Sequence, residues 1–108
     1  MNDKNFQSIQ FGRIKGLIRA KMQDPKLKKL LIDEFRACPG EKMSYFDFDV
    51  MFTQKLGIIE VEEWMRELFL SAIDNFGLAH IDFNDFGSFL SQGQPIDFGI
   101  KFKENREE

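Results

Sequence analysis

Apolar residues recur at three- and four-residue steps along most of this chain, which predicts a succession of amphipathic helices. The first stripe predicts a helix over residues 6–22, and Asp24-Pro25 begins a second helix that Cys38-Pro39-Gly40 ends. A third pattern predicts a helix from Ser44 to Leu56, with Gly57 as its stop. The stripe of the first helix comprises Phe11, Ile14, Leu17, Ile18 and Met22.

Two further helices and one extended segment are predicted in the second half of the chain. The widest stripe predicts a helix from near Glu60 to Phe76, and a shorter helix is predicted to begin at Asn84 or Asp85. From 96 to 102 the period changes to strict alternation, which predicts a strand that lies in a groove of this domain or on a partner's sheet edge. The widest stripe comprises Val61, Trp64, Met65, Leu68, Phe69, Ala72, Ile73 and Phe76.

Charge is distributed unevenly along the chain. Residues 1–30 carry a net charge of +6 and the remaining 78 residues a net charge of −9, within an overall charge of −3. A basic front on an acidic body indicates that the two pack against each other, or that the front contacts an acidic partner or anionic lipid. We favour the intramolecular contact. The overall negative charge argues against a nucleic-acid binder.

The residue types that carry catalysis or bind metals are sparse. His80 and Cys38 are the only histidine and cysteine, so neither a disulfide within the chain nor a cysteine-based metal cluster is expected. Arg36 is expected to lower the pKa of Cys38 slightly, although we interpret this thiol as a bystander. We therefore predict no enzyme activity, no catalytic residue and no cofactor. No stretch approaches the roughly 20 apolar residues of a membrane span, which predicts a soluble, cytoplasmic protein.

One short segment occurs twice, 38 residues apart. The first copy is Met43-Ser44-Tyr45-Phe46-Asp47-Phe48 and the second is Ile81-Asp82-Phe83-Asn84-Asp85-Phe86. In each copy an apolar residue is followed two positions later by an aromatic residue, then by an aspartate and by a phenylalanine that opens a helical pattern. A repeat of this length indicates two copies of one supersecondary unit.

This repeat, with the helices on either side of it, resembles a paired EF-hand lobe of the calmodulin and myosin light chain kind, over residues 27–91. The resemblance implies an all-α fold in which Met43 and Ile81 face each other in a short β-bridge between the two loops. Residues 1–24 would form an extra basic helix, 25–92 the lobe, and 93–108 an extended C-terminal segment and charged tail. The alternative is a plain helical bundle whose repeated segments are helix starts.

The loops depart from the calcium-binding pattern of that family. Calcium needs oxygen ligands at loop positions 1, 3, 5 and 12. The first loop, 36–47, would begin with a cation, and the second, 74–85, would have side chains without oxygen at positions 3 and 5. We therefore predict that neither loop binds calcium. The residues at those positions are Arg36, Cys38, Gly40 and Asp47 in the first loop and Asp74, Phe76, Leu78 and Asp85 in the second.

The resemblance also implies a function, because the inner apolar face of such a lobe grips an amphipathic helix of a target. We expect a calcium-independent adaptor or light-chain-like subunit of a larger, cytoskeletal or motor-type assembly. The alternative is a small acidic helical regulator that binds and blocks an enzyme. The predicted partner-binding residues are Met43, Phe48, Met51, Phe52, Met65, Phe69, Phe86, Phe89 and Leu90.

Overall fold

The computed structural model describes residues 3–74, 77–91 and 98, and most of these residues are helical. The predicted helical fold is confirmed at that level, and a small two-stranded sheet is added to it. The elements are α1 (Asp3–Met22), α2 (Pro25–Arg36), a 3-10 turn (Pro39–Glu41), β1 (Lys42–Ser44), α3 (Tyr45–Val50), a π-helical turn (Met51–Lys55), α4 (Glu63–Ile73), β2 (His80–Asp82) and α5 (Phe83–Leu90).

Three helices begin at a side-chain cap. Asp24 accepts a hydrogen bond from the backbone N–H of Lys26 at 2.9 Å and caps α2, as predicted. Ser44 caps α3 in the same way. Asp82 caps α5, so this helix begins at Phe83 and not at Asn84 or Asp85 as predicted, because Asp82 ends β2 with extended backbone angles that suit a cap.

The fourth helix is shorter than predicted at both ends. It begins at Glu63, because the chain bends at Glu60 and Val61 and Glu62 has extended backbone angles; Arg66 donates a 2.6 Å hydrogen bond to the carbonyl oxygen of Val61 in this segment. Arg66 also donates to both carboxylate oxygens of Asp49 and so ties α4 to α3. The helix ends at Ile73, and Phe76 lies outside the described residues. Two positions of the predicted stripe, Trp64 and Ala72, are exposed.

The helix predicted from Ser44 to Leu56 changes its hydrogen-bond pattern before it ends. Its final turn is π-helical, and the N–H of Leu56 donates to the carbonyl oxygen of Met51 at 2.8 Å. Gly57 then turns the chain with a positive φ of 72°, as its predicted role as a stop requires. Met51, Phe52 and Leu56 are all buried, so the apolar spacing is satisfied by this wider turn.

The two strands form an antiparallel pair in which Met43 lies opposite Ile81. The predicted pairing of these two residues is confirmed, and both side chains are buried. The pair joins two helix-loop-helix units, α2–β1–α3 and α4–β2–α5, by their loops. The offset of 38 residues in the sequence therefore corresponds to a structural repeat.

Aromatic rings from both units meet in one core. Phe35 of α2 stacks on Phe83 and Phe86 of α5, with ring centroids 4.9 and 5.3 Å apart. Phe48 of α3 contacts the edge of Phe86 at 5.5 Å. The core is thus shared by the two units and packs them together.

The predicted extended segment 96–102 lies outside the described residues except for Phe98, which is buried in the core. None of the helices in the described part of the chain has the length and apolar character needed to cross a bilayer.

Candidate functional site

The first helix packs against the rest of the molecule through one apolar stripe. Ile14 and Ile18 have no exposed surface and Met22 is 4% exposed. Phe11 meets the ring of Phe69 edge-on, with centroids 5.7 Å apart. Because each fully buried side chain of this size contributes about 1.5–3 kcal/mol, these contacts hold α1 firmly in place.

Three basic side chains of α1 fasten it at its polar border. Arg13 donates to the carbonyl oxygen of Glu60 at 3.0 Å, and Arg19 donates to that of Leu90 at 2.6 Å. Lys15 places its ammonium group 4.1 Å from the ring centroid of Phe89. The prediction that the basic front packs against the body of the chain is confirmed. We call the surface formed by Glu60, Phe69, Phe89 and Leu90 the α1 groove.

The surroundings of Lys15 and Arg19 act on these two cations in different ways. Burial lowers the pKa of Lys15, and the positive charge of Arg19 one turn away lowers it further. The carbonyl of Leu90 belongs to the last turn of α5, where the helix dipole favours a positive charge. The ring of Phe89 and the carbonyl of Leu90 therefore suit the α1 groove to a helix that carries basic residues beside its apolar stripe, although burial disfavours the charged form of Lys15.

Most of the predicted partner-binding residues lie inside the molecule in this structure. Eight of the nine are 4% exposed or less, and Phe89 is partly buried. Phe69, Phe89 and Leu90 contact α1, whereas Phe48 and Phe86 pack between the two helix-loop-helix units. The eight are Met43, Phe48, Met51, Phe52, Met65, Phe69, Phe86 and Leu90.

Sequence reasoning did not assign Arg13, Lys15 or Arg19 to a site. Two features of the sequence could have indicated their role: the uneven distribution of charge and the positions of these residues beside the apolar stripe of the first helix. Their partners gave no such signal, because two of them are backbone carbonyl groups, which every residue has.

The second loop is organised by one carboxylate. Asp74 accepts hydrogen bonds from the N–H groups of Leu78 and Ala79, at 3.1 and 2.8 Å, and from the hydroxyl of Tyr45 at 2.9 Å. These bonds fold the chain through Gly77 and Ala79, which both have positive φ. Within residues 3–74, 77–91 and 98, no cluster of three or more His, Cys, Asp or Glu side chains could hold a metal ion. Phe76, at position 3 of the predicted loop, lies outside the described residues.

The bond between Tyr45 and Asp74 joins the start of α3 to the end of α4. The pKa of Tyr45 is raised to about 12, first by burial and then by the hydrogen bond to Asp74 and the charge of that carboxylate. The hydroxyl is therefore held in its neutral, donating form. This contact is one polar link between the two helix-loop-helix units.

Ionisation of Tyr45 should destabilise the fold in alkaline solution. Because its folded pKa lies above the unfolded value of about 10, its contribution to stability is complete below pH 10 and is lost as the pH rises towards 12. Tyr45 is the only tyrosine. An absorbance titration of tyrosinate should give a midpoint near 12 in the native protein and near 10 in denaturant. The variant Tyr45→Phe should not lose this contribution to stability between pH 10 and 12. Equal tyrosinate midpoints in the native and the denatured protein would contradict a raised pKa of Tyr45.

The two residues with reactive side chains are engaged locally. The Cys38 thiol donates to the carbonyl oxygen of Glu34 at 3.3 Å. Burial raises its pKa, and the charges of Asp47 and Glu34 raise it further, so the expectation that Arg36 would lower it is wrong. Exposed His80 places Nδ1 2.9 Å from the carbonyl oxygen of Leu78.

Comparisons of the chain with protein-family models, with curated proteins and with solved structures found no match.

Proposed function

We propose that this chain is a calcium-independent, non-enzymatic interaction module that binds an amphipathic helix of a larger assembly. In this proposal the two helix-loop-helix units form an EF-hand-like lobe, and the α1 groove is its helix-binding surface. The observation that carries the proposal is the complete burial of Ile14 and Ile18 of α1 against that lobe. The chain's own helix thus serves as an example of the helix that the groove accepts.

The seating of α1 defines the pattern expected in a partner. Apolar residues occur at 14, 18 and 22, four residues apart, and cations follow the first two at 15 and 19. A helix with this spacing could place apolar side chains in the groove and direct its cations to Phe89 and the carbonyl of Leu90. Such a helix would compete with α1 for the same contacts.

The competition is weighted in favour of α1. Only Gln23 and Asp24 separate it from α2, so its effective concentration at the groove is very high. Loss of the burial of Ile14, Ile18 and Met22 would cost about 5 kcal/mol or more. A partner helix therefore binds the fraction of molecules in which α1 is open, and its apparent affinity is reduced by that fraction.

Weakening α1 at its polar border should strengthen the binding of an added helix. In the full-length double variant Lys15→Ala, Arg19→Ala, the open fraction should rise because a cation–π contact and a charged hydrogen bond are lost. The affinity for a fluorescent peptide of residues 9–24 should increase about tenfold or more, since 1.4 kcal/mol corresponds to a factor of ten. Fluorescence anisotropy measures this change.

The matched control removes two exposed lysines from α2, in Lys26→Ala, Lys29→Ala. This variant loses the same charge but no contact with the groove, so its affinity for the peptide should stay within about twofold of the wild-type value. Equal affinities for the two double variants would contradict competition between α1 and the peptide.

The alternative function, an acidic regulator that blocks an enzyme, is favoured by a different surface. Glu60, Glu62, Glu63 and Glu67 are all exposed around the start of α4. An acidic blocker should lose affinity for its target steeply as salt rises, and it should be insensitive to the opening of α1. The salt dependence of binding and the Lys15→Ala, Arg19→Ala variant therefore separate the two functions.

A further inference from the structure

A cleft lies beside the α1 groove, between the first half of α1 and the segment that begins α4. It has a volume of about 290 Å³ and is lined by Phe6, Gln10, Arg13, Glu60, Glu62, Trp64 and Met65. Phe6 and Trp64 are 39% and 50% exposed, whereas the other aromatic residues that the structure describes, apart from Phe46, lie in the core or pack against it. We call this the aromatic cleft. The proposed helix-binding function leaves both aromatic side chains unexplained.

Two hydrogen bonds fix the walls of the cleft. The indole Nε1 of Trp64 donates to Oε1 of Glu62 at 2.6 Å, which places a carboxylate next to the ring. Arg13 donates to the carbonyl oxygen of Glu60, so the only cation among the lining residues is already engaged. The carboxylates of Glu60, Glu62 and neighbouring Glu63 are exposed to solvent.

We propose that the aromatic cleft docks an arginine or lysine side chain from a basic segment of a protein partner. The faces of tryptophan and phenylalanine attract cations, and tryptophan does so most strongly. Carboxylates beside them supply the complementary charge, whereas an anionic ligand would be repelled by the same groups. The volume lies just below the 300–1,000 Å³ of typical small-molecule sites, and it suits a single long side chain.

Trp64 makes this inference directly measurable, because it is the only tryptophan in the chain. The probe is a nine-residue peptide with three arginines, and its matched control carries neutral citrulline in place of each arginine. With the full-length protein, the arginine peptide should shift the emission of Trp64 saturably and protect the ring from acrylamide quenching. The citrulline peptide should bind about tenfold more weakly or not at all.

Variants of the protein provide the second control. The double variant Glu60→Gln, Glu62→Gln should weaken binding of the arginine peptide about tenfold. It keeps the backbone carbonyl of residue 60 that Arg13 contacts. Glu41→Gln removes one exposed carboxylate outside the cleft and should leave the affinity unchanged, which distinguishes docking from general attraction to an acidic protein. Phe6→Ala should also weaken binding, by loss of one aromatic wall. All of these residues are exposed, so the melting temperatures should stay close to that of the wild type.

Three results would overturn the proposal. The first is that millimolar arginine peptide causes no saturable change in Trp64 emission. The second is that the arginine and citrulline peptides bind with equal affinity, and the third is that the variant Glu60→Gln, Glu62→Gln binds the arginine peptide as tightly as the wild type. A dependence of Trp64 emission on protein concentration without peptide would also contradict it, since a second copy of the chain would then occupy the cleft. The α1 groove uses the backbone carbonyl of Glu60 and neither the indole of Trp64 nor the side chains of Glu60 and Glu62, so failure here leaves the proposal for the groove untouched.

Discussion

Deletion of residues 1–22 should lower the melting temperature by at least about 20 °C, or prevent folding altogether. The deletion removes three side chains buried to 4% exposure or less and uncovers the apolar groove that they fill. For a domain of this size each 1 kcal/mol corresponds to about 4–8 °C, and the burial of Ile14, Ile18 and Met22 is worth about 5 kcal/mol or more. Circular dichroism during heating would measure the loss.

Adding the missing helix as a separate peptide should restore much of that stability. A peptide of residues 1–24 should raise the melting temperature of the deleted chain in a concentration-dependent way, because a ligand that binds only the folded state stabilises it. A matched peptide with Ile14→Asp and Ile18→Asp should fail, since both side chains would enter the groove charged. An unchanged melting temperature after the deletion would show that α1 contributes nothing to the fold and that the groove is free.

Phe35→Ala should destabilise the protein by about 3–5 kcal/mol, the range expected for deleting a fully buried aromatic ring. Phe35 has no exposed surface, and its ring stacks on both Phe83 and Phe86. Because these contacts cross from α2 to α5, the substitution should weaken the association of the two helix-loop-helix units. Chemical denaturation would measure the change in the free energy of unfolding.

Phe46→Ala provides the matched control for that substitution. Phe46 is 75% exposed, so the same chemical change should alter the free energy of unfolding by no more than about 0.5 kcal/mol. Similar losses from both substitutions would mean that Phe35 does not occupy the core position described above.

The features that the sequence predicted best are those that depend on the type and spacing of side chains. Asp24 and Pro25 marked the start of α2, and Gly57 marked the turn after the third predicted helix. The pairing of Met43 with Ile81 was implied by the resemblance that the doubled segment carries, and the strand register contains it.

Other features depend on backbone geometry or on tertiary contacts. Apolar spacing over a single turn cannot distinguish the α-helical from the π-helical closure at Leu56. The late start of α4 follows from the extended backbone angles of Glu62 and the bends before it, which no residue pattern encodes. The exposure of Trp64 followed from neither its type nor its place in the stripe.

The same limit applies to the candidate sites. An amphipathic face looks alike in sequence whether it is covered by a partner or by another part of the chain. The stripe of α1 and the predicted partner-binding residues were both recognised, but only the structure shows that Phe69 and Phe89 contact α1. The aromatic cleft had no counterpart in the sequence, because Phe6 and Trp64 lie 58 positions apart.

Arg13 belongs to both proposed sites, since it fastens α1 to the carbonyl of Glu60 and also lines the aromatic cleft. Phe6 and Gln10 of α1 line the same cleft, which is therefore complete only while α1 is seated. A ligand in the cleft stabilises the closed form, and a helix that displaces α1 dismantles the cleft. By thermodynamic reciprocity each ligand should weaken the other by the same factor, so the module would choose between two partners and would not bridge them.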